Sequence, residues 1–228
     1  MTQQLPSNRS ERFVNSGIKE LQEANRNPIY GYQHLPVLPL EETLQSVVTL
    51  IPGLMVYIAL AKENCYQQQT TLTLDESAAI YLYTMGTPFY SCLNKLLRTE
   101  NRNNLKPWFS FLKLFISALD KLPSLVINVW RGVVGDAASA FIGDSEHTWW
   151  SVNSCSRNPE VVKMYLGETS TLFTIDAIEG KDITLYSNFS QEEEVILKPG
   201  TRLRVKVQPL NYLDRLLIVP LQEKYKNR

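Results

Sequence analysis

The chain has 228 residues, 44% of them hydrophobic and 10% aromatic, which suits one large globular domain or two small ones around a packed core. Its 23 basic and 23 acidic residues cancel, so no field of one sign argues for a nucleic-acid partner. Three cysteines (Cys65, Cys92, Cys155) without C-x-x-C pairs, and two histidines (His34, His147), argue against a disulfide framework and a structural zinc site.

Residues 1–36 are rich in Asn, Gln, Arg and Pro with little periodicity and are expected to form a polar N-terminal extension whose task is not readable. The opening MTQQLPSNRSERFVNSG has no apolar run behind its charges, and the ending LQEKYKNR has no apolar tail. Cytoplasmic residence is the resulting expectation, with export by another route left open. From Pro39, LPLEETLQSVV places carboxylates in a first turn and apolar residues at Leu44, Val47, Val48 and Ile51, a helical spacing. The apolar tract from Leu44 is broken by Pro52-Gly53, so it reads as buried helix and not as a membrane span. Thr73 and Glu76 form a predicted capping box ahead of SAAIYLYTM. FYSCLNKLLRTENRNN and KPWFSFLKLFISALDKL continue the helical habit, with Pro107 suited to a first turn.

After Pro123 the character changes. SLVINVWRG, TWWSVNSCS, STLFTIDAI, DITLYS, EEVILKPGT and RLRVKVQPL are short β-branched and aromatic segments, interrupted by one predicted helix, NPEVVKMYLG. Helices followed by strands predict an α+β fold: a helical lobe over 37–122 and a β-rich core over 123–228, the two forming one integrated domain.

Polar groups stand at three predicted strand edges: Arg131-Gly132 after VINVW, Ser154-Cys155-Ser156 after WWSVN, and Glu192-Glu193-Glu194 before VIL. Taken singly, these read as a surface cation, a turn and a solvated acidic run. If a strand includes the glutamates, Glu192 and Glu194 project to one face and Glu193 to the other. In this order, R-G, S-x-S and aromatic-x-x-E-x-E resemble the arginine-specific mono-ADP-ribosyltransferases of the Arg-Ser-Glu type, over roughly residues 39 to 208. The apolar strand and P-G turn after the glutamates, and the helical lead LTLDESAAIYLYT, share the resemblance.

That resemblance implies a mainly antiparallel β-sandwich with an NAD cleft, preceded by the helical lobe and needing no glycine-rich dinucleotide fingerprint. It implies NAD as co-substrate, no metal, and a protein partner presenting arginine. Arg131 is expected to grip the pyrophosphate with its planar fork of donors. Gly132 admits the nicotinamide amide to the backbone, and Ser154 stiffens the site. Glu194 is expected to stabilise positive charge on the ribose. Glu192 is expected to orient the acceptor guanidinium and take its proton, with Phe189 packing on that guanidinium. Tyr165 is a candidate to stack on nicotinamide, against a competing place on a helix's buried face. Two departures from the family pattern are Cys155 between the serines and Trp130 before the R-G pair. Trp149 and Trp150 are expected in the core and the cleft wall, and His147 as a packed side chain.

The reading is a mono-ADP-ribosyltransferase acting on protein arginine and releasing nicotinamide. Its alternatives are an NAD glycohydrolase with water as acceptor and a non-catalytic binding module on the same fold.

Overall fold

The switch in apolar spacing after Pro123 is the switch the chain makes. In the computed structural model, which describes residues 12–15, 29–66, 71–141, 145–212 and 215–225, helices precede all but the first, two-residue strand of a large sheet. Helix α1 (Leu40–Thr43) gives way to a 3-10 segment (Gln45–Leu50), followed by α2 (Leu54–Cys65), α3 (Leu74–Thr84), α4 (Phe89–Arg98) and α5 (Phe109–Lys121). The helix expected from Pro39 through Val48 thus breaks after Thr43. Thr43, Val47, Val48 and Thr49 are β-branched and stiff at χ1, and Pro52 lacks a donor, so the segment tightens instead of extending. The capping box forms as expected: Thr73 accepts from the Glu76 backbone N–H while the Glu76 carboxylate accepts from that of Thr73.

Among the described residues nine strands make one sheet: β1 (Val14–Asn15), β2 (Leu125–Val134), β3 (Glu146–Trp149), β4 (Asn153–Ser156), β5 (Ser170–Asp182), β6 (Glu194–Leu197), β7 (Thr201–Val205), β8 (Leu210–Tyr212) and β9 (Leu216–Glu223). Its order is β1-β2-β4-β6-β5-β9-β7-β3, with β8 on β9, and β2 also pairs β5 along nearly its whole length. Strands β2, β4, β6 and β5 therefore close a circuit, which curls the sheet around its own core. Most pairings are antiparallel; β1 with β2 and β5 with β9 are parallel.

TWWSVNSCS was expected as one strand and is two. The Asn153 amide donates to the Ser151 carbonyl (2.8 Å) and accepts from the Ser151 hydroxyl (3.2 Å), which builds a turn between β3 and β4. DITLYS is not a strand: β5 ends at Asp182 and a 3-10 turn follows over Thr184–Tyr186. The helix expected over NPEVVKMYLG stops early, as α6 (Pro159–Lys163), with Asn158 as its cap. Strand β9 contradicts the rule that keeps proline out of sheets, because its Pro220 sits where only a carbonyl is needed, accepting from the Lys206 N–H at 2.9 Å.

Two apolar cores follow. One fills the helical lobe and takes Val152, Ile183 and Ile196 from the sheet; the other fills the curled sheet, with Val129, Val133, Phe173, Val195 and Val219. On β6, Ile196 serves the first while Val195 and Leu197 serve the second, the alternation expected of a strand between two layers. Among the described residues no helix is long and apolar enough to cross a membrane.

Residues 12–15, inside the predicted N-terminal extension, are part of this fold. Val14 pairs with Gly132 and Asn15 with Val133, so the extension contributes strand β1. A third small core forms around it, from Phe13, Val14, Val161, Val162 and Leu172.

Candidate active site

The three separated motifs meet where β2, β4 and β6 approach one another. Strands β2 and β4 share a single register pair, Trp130 with Ser156, and Arg131 bridges them by donating to the Ser154 carbonyl at 2.6 Å. Strand β4 continues the connection, because Ser154 pairs with Ile196 and Ser156 with Glu194 across to β6. Arg131 is 2% exposed, and Ser154 and Glu194 are fully buried. A cation read from sequence as a strand-end group is therefore an interior one, held by backbone carbonyls.

Cys155 points away from the serines as expected, into the sheet core, where burial pushes its thiol up to about 12. The Ser154 hydroxyl lies 3.3 Å from the Tyr83 hydroxyl, and Asn94 holds this pair in place. Its amide donates to Tyr83 Oη and to the Val152 carbonyl, both at 3.2 Å, and accepts from the Val152 N–H at 3.0 Å. Tyr83 and Asn94 thus carry the helical lobe's rigidity into the strand that bears Ser154; nothing in the motif spacing singled them out. Replacing Asn94 by Ala leaves the buried Val152 amide without its partner. The expected cost is about 1–3 kcal/mol of stability, read as a lower urea midpoint.

The two glutamates converge by a route other than the one the alternation argument supplies. Glu192 is not on the strand. It ends a 3-10 turn (Ser190–Glu192), Glu193 takes a left-handed conformation (φ 47°), and β6 begins at Glu194. The left-handed residue reverses the chain and throws Glu193 outward, where its carboxylate lies 3.7 Å from Arg157. The turn is fastened from both sides. The Ser156 hydroxyl donates to the Glu192 carbonyl (2.7 Å), and the Arg157 N–H donates to that of Glu193 (3.1 Å). From the helical lobe, the Tyr81 hydroxyl donates to the Asn188 side chain (2.5 Å), while Thr84 Oγ1 accepts from the Asn188 N–H (2.8 Å).

Both carboxylates face one guanidinium, that of Arg12. Arg12 donates to the Glu192 carboxylate and to the Thr84 carbonyl at the C-terminal end of α3, and it lies 3.6 Å from Glu194. Its guanidinium carbon is 5.4 Å from the centre of the Phe189 ring. The Tyr165 hydroxyl reaches Glu192 at 3.4 Å, and the Tyr165 ring lies parallel to Phe13 with 6.4 Å between centroids. Arg131, Gly132, Ser154, Tyr165, Phe189, Glu192 and Glu194 therefore surround one place in the fold. The unforeseen member is Arg12, whose only trace in the sequence is the short apolar step Phe13-Val14 within a polar stretch.

Electrostatics mark Glu194 as the unusual group. Burial pushes its carboxyl up; the Arg12 charge, then the Ser154 hydroxyl, pull it back only in part, and Glu192 adds to the rise. The Glu194 carboxylate stands 3.6 Å from the Arg12 guanidinium, beyond ordinary hydrogen-bonding distance. A buried carboxylate beside a repelling neighbour is arranged to receive positive charge.

The other candidates fall elsewhere. Trp149 is in the sheet core, and Trp150 stacks with Arg102 against the helical lobe. His147 packs on Phe141 (4.2 Å between ring centroids), and burial lowers its pKa. No group of three or more metal-ligating side chains occurs among the described residues.

A family model described as NAD:arginine ADP-ribosyltransferase matches residues 45–227. No curated protein sequence matches the chain. Its fold is similar to several solved structures. The ADP-ribosyltransferase Vis from Vibrio splendidus, solved with agmatine, has a TM-score of 0.58 at 18% identity, over 86% of this chain and 91% of that one. The eukaryotic mono-ADP-ribosyltransferase ART2.2 has a TM-score of 0.61 at 18% identity, over 83% and 85%. Exoenzyme S from Pseudomonas aeruginosa, solved with human 14-3-3 protein beta and carba-NAD, has a TM-score of 0.59 at 20% identity, over 81% and 88%.

Proposed function

Because the chain belongs to the NAD:arginine ADP-ribosyltransferase family and is an ADP-ribosyltransferase that uses NAD, we propose that its acceptor is the arginine side chain of a protein. The observation that carries this reading is that Glu192, Glu194 and Phe189 already receive a guanidinium together, that of Arg12. Two carboxylates and a ring face suit a flat cation with donors along its edge, and they suit a lysine ammonium less well. The agmatine of the Vis complex carries the same guanidinium group.

The residues then divide the chemistry. Arg131 offers its fork of donors to the NAD pyrophosphate, and the Gly132 backbone takes the nicotinamide amide. The bond between nicotinamide and ribose breaks with its electron pair leaving on nicotinamide. Positive charge grows on the ribose, where the Glu194 carboxylate stabilises it in a dry site. A guanidinium nitrogen attacks the ribose carbon, and its proton passes to Glu192, which has held it in line. Ser156 and Tyr165 keep Glu192 at its post.

Incubating the full chain with NAD and polyarginine tests the proposal. Nicotinamide should appear together with ADP-ribose bound to the polymer, and polylysine should accept none. Transfer to polylysine, or nicotinamide release that leaves polyarginine unmodified, would overturn arginine as the acceptor.

A further inference from the structure

Arg12 does more than mark an acceptor site, because the residues next to it engage the other groups of the site. The Gly132 N–H, assigned above to the nicotinamide amide, donates to the Phe13 carbonyl at 2.8 Å. Arg131, assigned to the pyrophosphate, donates to the Arg12 carbonyl. Tyr165, the candidate stacking partner of nicotinamide, lies parallel to the Phe13 ring, and Phe13 is fully buried. Val14 sits on Gly132 so closely that a Cβ there would come within 2.9 Å of it. Arg12, 2% exposed, takes Glu192, Glu194 and Phe189.

Each group proposed to touch nicotinamide, pyrophosphate or acceptor is thus engaged by Arg12-Phe13-Val14. The match is chemical as well as spatial. Phe13 supplies a flat ring with a carbonyl beside it, as nicotinamide does, and Arg12 supplies the positive charge that two buried carboxylates require. Strand addition to β2 holds the tripeptide in register through main-chain bonds, the way extended peptides dock on sheet edges.

We infer that the segment Arg12–Asn15 is a built-in competitor of NAD, a strand that occupies the nicotinamide and acceptor subsites and must leave before the enzyme turns over. The inference rests on the assignment of the site made under the proposed function. In the resting chain NAD meets a protein whose binding-competent form is a minor fraction, and its apparent affinity is lowered by that fraction. Arg12 is not itself positioned for modification in this arrangement, because Phe13 stands where the nicotinamide of the donor would.

The test titrates carba-NAD into the full chain and into the Arg12→Ala/Phe13→Ala double variant by calorimetry, after thermal melts confirm that both are folded. The variant is expected to bind about tenfold tighter or more. A synthetic peptide of residues 10–17, SERFVNSG, added to the variant should weaken that binding competitively. Should the double variant fail to fold, Arg12→Gln, which keeps the strand and removes the charge, is held to the same criterion. Equal affinity of wild type and variant would overturn the inference while leaving the functional reading intact. Failure of both chains to bind carba-NAD would overturn the functional reading and the inference with it.

Discussion

Glu194→Gln is expected to lower nicotinamide release by about 10²–10³-fold, with polyarginine present or absent, because both reactions pass through the same charged ribose. The substitution keeps the shape of the side chain and removes its charge. Glu194 is fully buried at the first position of β6, its carbonyl accepting from the Ile183 N–H at 3.0 Å, so the carboxylate cannot turn away into water. A fixed charge in a dry site acts on a developing cation far more strongly than a solvated one, and no reorganisation is required of it at the moment of bond breaking.

The same burial gives the reaction a direction in pH. Catalysis needs the ionised carboxyl, and burial raises its pKa, so the acid limb of nicotinamide release should lie above the pH at which an exposed glutamate would place it. Stability runs the other way. A folded pKa above the unfolded one means that the native state holds the proton more tightly, so this contribution is full below the unfolded pKa and is lost as pH rises through the folded one. A Gln variant that retains the wild-type rate, or an acid limb at the ordinary glutamate position, would remove Glu194 from the chemistry.

How far residues alone led to this site depended on what each position had to satisfy locally. The helical lobe was legible because its signals are local: the Thr73/Glu76 box is complete within four consecutive residues, and apolar spacing repeats over whole helices. Arg131, Ser154 and Glu194 were legible as an ordered set, although Arg131 is interior and not at a strand's end. Glu192 is legible by its pairing with Glu194, but a turn and not strand alternation produces that pairing. A left-handed Glu193 is invisible in a sequence where glycine would have announced it. Strand β9 was hidden by Pro220, and β1 by its length, since two residues have no period. Arg12 lies 180 residues from the carboxylate it meets, and only the folded chain brings them together.

Glu192→Gln should separate the two halves of the reaction. Transfer to polyarginine is expected to fall by about 10²–10⁴-fold, the usual worth of a positioned general base, because a neutral amide neither takes the acceptor's proton nor holds a guanidinium as tightly. Nicotinamide release without acceptor should survive, since Glu194 and Arg131 remain. It should also rise if Arg12–Asn15 excludes NAD, because the substitution removes the carboxylate to which Arg12 donates and weakens the closed arrangement. The backbone of the turn does not depend on the charge. Ser156 bonds the Glu192 carbonyl and the Phe189 carbonyl accepts from the Glu192 N–H at 3.0 Å, so Gln can sit where Glu sat. Measuring nicotinamide and polymer-bound ADP-ribose in one reaction gives both rates from one sample. Parallel loss of both would mean that Glu192 acts on the ribose together with Glu194, and the assignment of one carboxylate to the sugar and the other to the acceptor would fall.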